Sequence, residues 1–158
     1  MMKKCHLLLY LCVLLMSFSS YKALAQAAKP MPTLGPADPW NETGLMQPAD
    51  LAQIITTGKS EGYFIINIGA VEDIKGARHI GPVSNAENMG KLKSMAANLP
   101  KNTPFIVYCG CCPFNKCPNI RPAFKELSAM GFTNVKLLNL KVNLQTNWIS
   151  KGYPVVKN

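Results

Sequence analysis

Four cysteines, Cys109, Cys111, Cys112 and Cys117, fall within nine positions of a 158-residue chain. A sulfur so concentrated can attack as a thiolate, exchange with a neighbouring disulfide, or bind a soft metal. A secreted scaffold instead spreads its cysteines to staple distant segments, and a chain of this length has core enough without staples. Lys116 lies within the loop and Arg121 follows it, so an anionic reactant is the natural partner. A haem attachment is excluded, because no Cys-x-x-Cys is followed by His.

Three readings of the three additional thiols stay open. In the first, Cys109 and Cys112 form a C-x-x-C pair, or Cys112 closes on Cys117, and a resolving thiol discharges a sulfur-carrying one. In the second, Cys109, Cys111, Cys112 and Cys117 together hold Zn²⁺ or Cu⁺. The adjacent Cys111 and Cys112 are awkward for a tetrahedral site, and no His or Met cluster assists copper. In the third, one structural disulfide such as Cys111 to Cys117 shapes the loop and leaves Cys109 free. Four cysteines allow three complete connectivities.

The elements that must position this loop alternate. Apolar residues Leu51, Ile54 and Ile55 have helical spacing, and the run 63–68 is continuously apolar apart from Asn67, as in a strand buried on both faces. Met89, Leu92, Met95, Ala96 and Leu99 mark a second helix, and 105–108 a second buried strand that runs straight into Cys109. Ile120, Ala123, Phe124 and Leu127 predict a third helix stopped by Gly131, residues 135–140 a third strand, and Leu144, Trp148 and Ile149 a short last helix. Such alternation predicts an α/β domain with a parallel sheet and helices on both faces, and ligands bind beyond the carboxyl ends of its strands. Cys109 stands at such an end. The following helix would direct its positive end and free N–H groups at the cysteine and lower its pKa, with Asn119 as the cap.

Composition sets the rest. With 48% hydrophobic and 16% charged residues and a mean hydropathy of +0.07 the chain is globular, and its length suits one domain. Lys3 and Lys4, an apolar run over 7–18 and the small residues Ala23 and Ala25 have the layout of a cleaved signal over residues 1–25, too short to span a membrane stably. Export to the periplasm or outside the cell is therefore expected, with no stable membrane insertion after cleavage. Residues 26–47 form a Pro-rich lead-in, with Trp40 free to dock on a domain over 48–158. The formal charge of +9 loses Lys3, Lys4 and Lys22 with the signal. The remaining cations are scattered and form no aromatic-interleaved stripe, so nucleic acid is not an expected partner.

The order of the motifs resembles the rhodanese-like domain family of sulfurtransferases. Residues 48–51 resemble its opening helix, 63–69 the strand that usually ends in Asp-Val-Arg, and 76–82 its Gly-His-Ile-Pro-Gly segment. Residues 105–109 resemble the strand leading to the active cysteine, 125–132 the helix after it, and 147–155, with Trp148 and Gly152-Tyr153-Pro154-Val155, its closing motif. The resemblance implies a single domain with a parallel sheet of about five strands and a catalytic Cys109 that carries sulfur as a persulfide. It implies no cofactor, and as partners a small anionic donor such as thiosulfate, a thiol or cyanide acceptor, and a redox protein. Arg121, Lys116 and the loop N–H groups, Gly110 included, would bind the donor, with Cys111, Cys112 and Cys117 resolving or disulfide-forming. The sequence departs from the family at Asn67-Ile68-Gly69, which replaces Asp-Val-Arg, and at Gly81-Pro82, which reverses the usual order. His79 has no expected partner and is read as structural. The cysteine loop is also much longer than the family's tight single-cysteine ring. The alternatives are a non-catalytic envelope module that binds metal or a redox partner through the loop, and a thiol–disulfide oxidoreductase.

Overall fold

The computed structural model describes residues 38–156, all within one compact unit. The expected signal over 1–25 and the lead-in as far as residue 37 lie outside the described residues.

The elements in chain order are β1 (Leu45–Met46), α1 (Pro48–Thr56), β2 (Phe64–Asn67), β3 (Arg78–His79), α2 (Ala86–Ala96), β4 (Phe105–Tyr108), α3 (Ile120–Ala129), β5 (Val135–Leu138) and α4 (Leu144–Asn147), with short 3₁₀ turns between some of them. The five strands form one sheet in the order β1-β5-β4-β2-β3. Every ladder is parallel, with Phe64 to Asn67 opposite Phe105 to Tyr108 and Phe105 opposite Val135. The α/β parallel architecture is as the alternation predicts.

The central strand β4 is buried along its whole length, and its two side-chain rows enter two different cores. Phe105 and Val107 pack with Ile66, Leu137, Leu92, Ala96, Ala123 and Leu127, beneath α2 and α3. Ile106 and Tyr108 pack with Ile65, Leu138, Leu51, Ile55, Leu144 and Trp148, beneath α1 and α4. Each large side chain fully removed from water contributes on the order of 1.5–3 kcal/mol, so the sheet is clamped from both faces. Cys109 continues the row of Phe105 and Val107 and therefore faces the α2–α3 side.

Local chemistry sets the helix ends. Pro48 opens α1 at the position where its missing N–H costs nothing, and Asn85 caps α2 by accepting from Glu87 N. Gly131 stops α3 in the left-handed conformation at φ 89°. Two strands are not readable from the apolar pattern. β1 lies inside the segment read as lead-in, and β3 pairs Arg78 and His79 with Ile66 and Asn67. Each is two residues long, too short for any periodicity to show. The expected docking of Trp40 is realised: its ring lies 6.1 Å from Phe114 and 5.7 Å from Phe124, edge-on to the latter. None of the helices among the described residues is long and apolar enough to cross a membrane.

Candidate functional site: a thiol cluster beyond the central strand

Leaving β4, the chain turns at Gly110, which has φ +81° and no room for a side chain. A Cβ there would meet Val71 and Leu144, each at 2.9 Å. The Gly110 carbonyl accepts from Leu144 N at 2.8 Å, which ties the turn to α4. The segment then runs outward through Cys111 and Cys112, folds into a 3₁₀ turn at Phe114–Lys116, and re-enters the core at Cys117 before α3 begins.

This path brings three sulfurs together. The Cys109, Cys111 and Cys117 sulfurs all lie within 4.8 Å of one another, with Cys109 Sγ and Cys111 Sγ 3.3 Å apart. Cys112 is peripheral, its sulfur 3.7 Å from that of Cys111. Cys109 and Cys117 are buried, Cys111 is exposed, Cys112 is half-buried, and all four are free thiols. Of the adjacent pair, the thiol set against Cys109 is thus Cys111, not the Cys112 of the C-x-x-C spacing.

The negative charge settles on a cysteine other than the one the sequence favours. Cys109 donates toward Cys117, and this hydrogen bond together with burial pushes the Cys109 thiol far above its ordinary value. Cys117 gains the same hydrogen bond and the backbone N–H groups of Asn119 and Ile120, which hold it down to about 5. The start of α3 therefore serves Cys117, which immediately precedes it, and not Cys109 at the far side of the loop. Burial, followed by its hydrogen bond with Cys111, pushes Cys112 up to about 12.

Asn119 is the residue whose role the sequence conceals. Its backbone is helical, at φ −88° and ψ −31°, so its side chain makes no capping bond. Instead it donates from Nδ2 to Cys109 Sγ at 3.5 Å and accepts from Ser84 N at 2.9 Å, joining the cysteine to the loop ahead of α2. Gly69 also lies against Cys109, so close that a Cβ on it would collide with the Cys109 carbonyl and crowd its sulfur. Where the resembled motif carries an arginine, this chain has no space for a side chain.

His79 does have a partner. Its Nδ1 lies 3.0 Å from Asp73 Oδ1, and buried Asn67 donates to the same carboxylate oxygen at 2.8 Å and to Val71 O at 2.9 Å. A carboxylate thus stands beside position 67 after all, supplied by Asp73 six residues further on.

Gly110 forms the turn itself, and Lys116 ends the 3₁₀ segment as an exposed cation. Arg121 sits in the first turn of α3 but pairs with Asp38, with its guanidinium 5.5 Å from the centre of the Trp40 ring. Beside Phe114 and Asn115 a cavity of about 410 Å³, edged by Glu42, Gln47 and Lys141, reaches buried Asn139, whose Oδ1 has no hydrogen-bond partner.

No family model matches the chain, and no curated protein sequence does. Solved structures similar to it include two of one protein. The solution NMR structure of the rhodanese-like domain of the Alr3790 protein from Anabaena sp. superposes with a TM-score of 0.52 at 17% identity, over 73% of this chain and 80% of that one. The crystal structure of the Alr3790 protein gives 0.50 at 18% identity, over 70% and 90%. The chain has the rhodanese-like fold: an α/β domain with a five-stranded parallel sheet, as the motif order implies.

Proposed function

We propose that this rhodanese-like fold serves an exported sulfurtransferase in which Cys109 accepts sulfane sulfur from an anionic donor of the thiosulfate class. The observation that carries the reading is the placing of Cys109, at the carboxyl end of the central strand, with its sulfur within 4.8 Å of that of Cys117, whose thiol is held down toward the thiolate. At rest the proton stays on Cys109, so Cys117 takes it only in step with the attack, as the new S–S bond forms. The Cys109 sulfur attacks the outer sulfur of thiosulfate and forms a new S–S bond. The donor's own S–S bond breaks, sulfite leaves with its electron pair, and the Cys109 proton passes to Cys117. An acceptor thiolate or cyanide then takes the outer sulfur, and Cys109, leaving as thiolate, recovers the proton. Exposed Cys111, at 3.3 Å, can instead attack the Cys109 sulfur of the persulfide. That closes a Cys109–Cys111 disulfide and expels hydrosulfide, and a reducing partner protein would reopen it.

The donor's charge is met by the loop N–H groups, Gly110 among them, and by Lys116; Arg121 joins only by leaving Asp38. Export rests on the layout of residues 1–25.

Intact mass after trapping with a thiol-alkylating reagent, before and after thiosulfate, tests the reading. The expected result is one alkylatable Cys109 at rest and one added sulfur after the donor, lost in Cys109→Ser. Sulfur transfer retained by Cys109→Ser, or no sulfur gained by the reduced protein, overturns it.

A further inference from the structure

We propose that Cys109, Cys111 and Cys117 also form a three-thiolate site for Cu⁺. This goes beyond sulfur transfer and does not depend on it.

The distances fit. With metal–sulfur bonds of about 2.3 Å, three sulfurs in a trigonal plane stand about 4.0 Å apart, and four in a tetrahedron about 3.8 Å. The three sulfurs here already lie within 4.8 Å of one another, the closest pair at 3.3 Å, so small rotations about the side-chain bonds bring all three onto one ion. A tetrahedral site needs a fourth sulfur equally close to the rest. Cys112 is not a member of the mutually close group, although it touches Cys111. The adjacent pair that makes a four-cysteine site awkward is thereby split, one member turned into the cluster and the other left at its rim. Three coordination with sulfur alone suits Cu⁺, a soft ion that favours thiolates, whereas Zn²⁺ favours four ligands.

The surroundings suit retention with exchange. Cys109 and Cys117 are buried with Val107, Ile120 and Ala123, which keeps water from two of the three ligands. Cys111 is exposed and offers the entry point at which an incoming thiol donor can hand over the ion. Each ligand is held by a different piece of rigid backbone: the end of β4, the Gly110 turn tied to Leu144, and the segment entering α3. Asn119 braces Cys109 through its Nδ2, the kind of outer support that orients a metal ligand. An ion bound here occupies the Cys109 sulfur, so copper and sulfane sulfur exclude one another.

The test uses the full chain with Cys5→Ser and Cys12→Ser, so that only the loop sulfurs are available, reduced and stripped of metal. Cu⁺ is supplied with a chromophoric Cu⁺ chelator in competition, and X-ray absorption counts the sulfurs around bound copper. The expected result is one Cu⁺ per chain with three sulfurs. Cys111→Ser, an exposed substitution that spares the core, should weaken binding by more than the roughly 100-fold typical of removing a metal's outer partners. Cys112→Ser should leave the affinity within about threefold, below the roughly 10-fold least cost of removing an outer partner, and Zn²⁺ should not displace the copper. Failure to hold copper against the chelator overturns the proposal. So does a Cys112→Ser loss equal to that of Cys111→Ser, or a count of two or four sulfurs. Sulfur loading is measured separately on the metal-free protein with thiosulfate, so either activity can fail without the other.

Discussion

The backbone of Gly69 lies directly against Cys109: a Cβ added to Gly69 would sit 2.0 Å from the Cys109 carbonyl oxygen and 3.0 Å from its sulfur. The oxygen belongs to backbone and cannot swing aside, so β4 and the turn after β2 must separate to admit even a methyl group. Gly69→Ala is expected to destabilise the fold by about 1–3 kcal/mol through overpacking and to shift Cys109 away from Cys117. Thermal unfolding reads the first effect and the rate of Cys109 alkylation the second. An alanine variant with unchanged stability and thiol reactivity would contradict this contact.

Asn119 holds Cys109 and the Ser84 amide through opposite ends of one buried amide group. Asn119→Ala leaves the Ser84 N–H without its partner, at a cost of about 1–3 kcal/mol, measurable by denaturant unfolding. Asn119→Asp keeps the acceptor for Ser84 but removes the donor to sulfur and places a second negative charge beside the Cys117 thiolate. It should raise the pH at which the thiols react, and a pH profile of alkylation detects that directly.

Sulfur loading should follow the protonation of Cys117. Held down to about 5 by Cys109 and two backbone N–H groups, Cys117 is a thiolate at neutral pH and able to take the Cys109 proton. As pH falls through about 5 it becomes protonated and loading is lost; between pH 6 and 8 the rate stays level. In Cys117→Ala the base is gone, and the onset moves up toward the ordinary thiol range of about 8.5 or beyond. Stopped-flow sulfite release across pH 4–9 distinguishes the two profiles.

Arg121 is engaged by Asp38, both side chains about one-third exposed. Such a partly exposed pair is worth little, so Asp38→Asn should change stability by less than about 1 kcal/mol. It should also release the guanidinium. If Arg121 serves the donor, the KM for thiosulfate falls in Asp38→Asn and rises in Arg121→Gln, with unfolding temperature as the control.

How far the sequence discloses this molecule depends on length and on direction. β2, β4 and β5 are readable because large apolar residues dominate each, unbroken in β4 and interrupted only by Asn67 in β2 and Lys136 in β5, and the helices because Leu51, Leu92 and Leu127 recur with their neighbours at helical spacing. β1 and β3 are two-residue edges whose place in the sheet is set by the ladders beside them, with nothing local to announce it. At the site, residue type and spacing single out the cysteines, but not which of two adjacent thiols turns inward. An asparagine one residue before a helix reads as a cap. Only the helical backbone of Asn119 reveals that its amide is free to hold Ser84 and Cys109 instead. The carboxylate beside His79 is hidden for a similar reason: Asp73 reaches it from a loop, six residues beyond the strand position where the family motif would place it.

Asp38 and Trp40 lie at the start of the described chain, and both hold the cysteine segment or the helix after it, Asp38 through Arg121 and Trp40 through Phe114 and Phe124. These contacts precede β1 along the chain and stand in mechanical series with it. Tension applied from the N-terminal side therefore reaches the 3₁₀ turn between Cys112 and Cys117, and the helix after it, before it reaches any strand. Whatever anchors or loads the preceding segment acts on the sulfur cluster first, and on the sheet only after that clasp has opened.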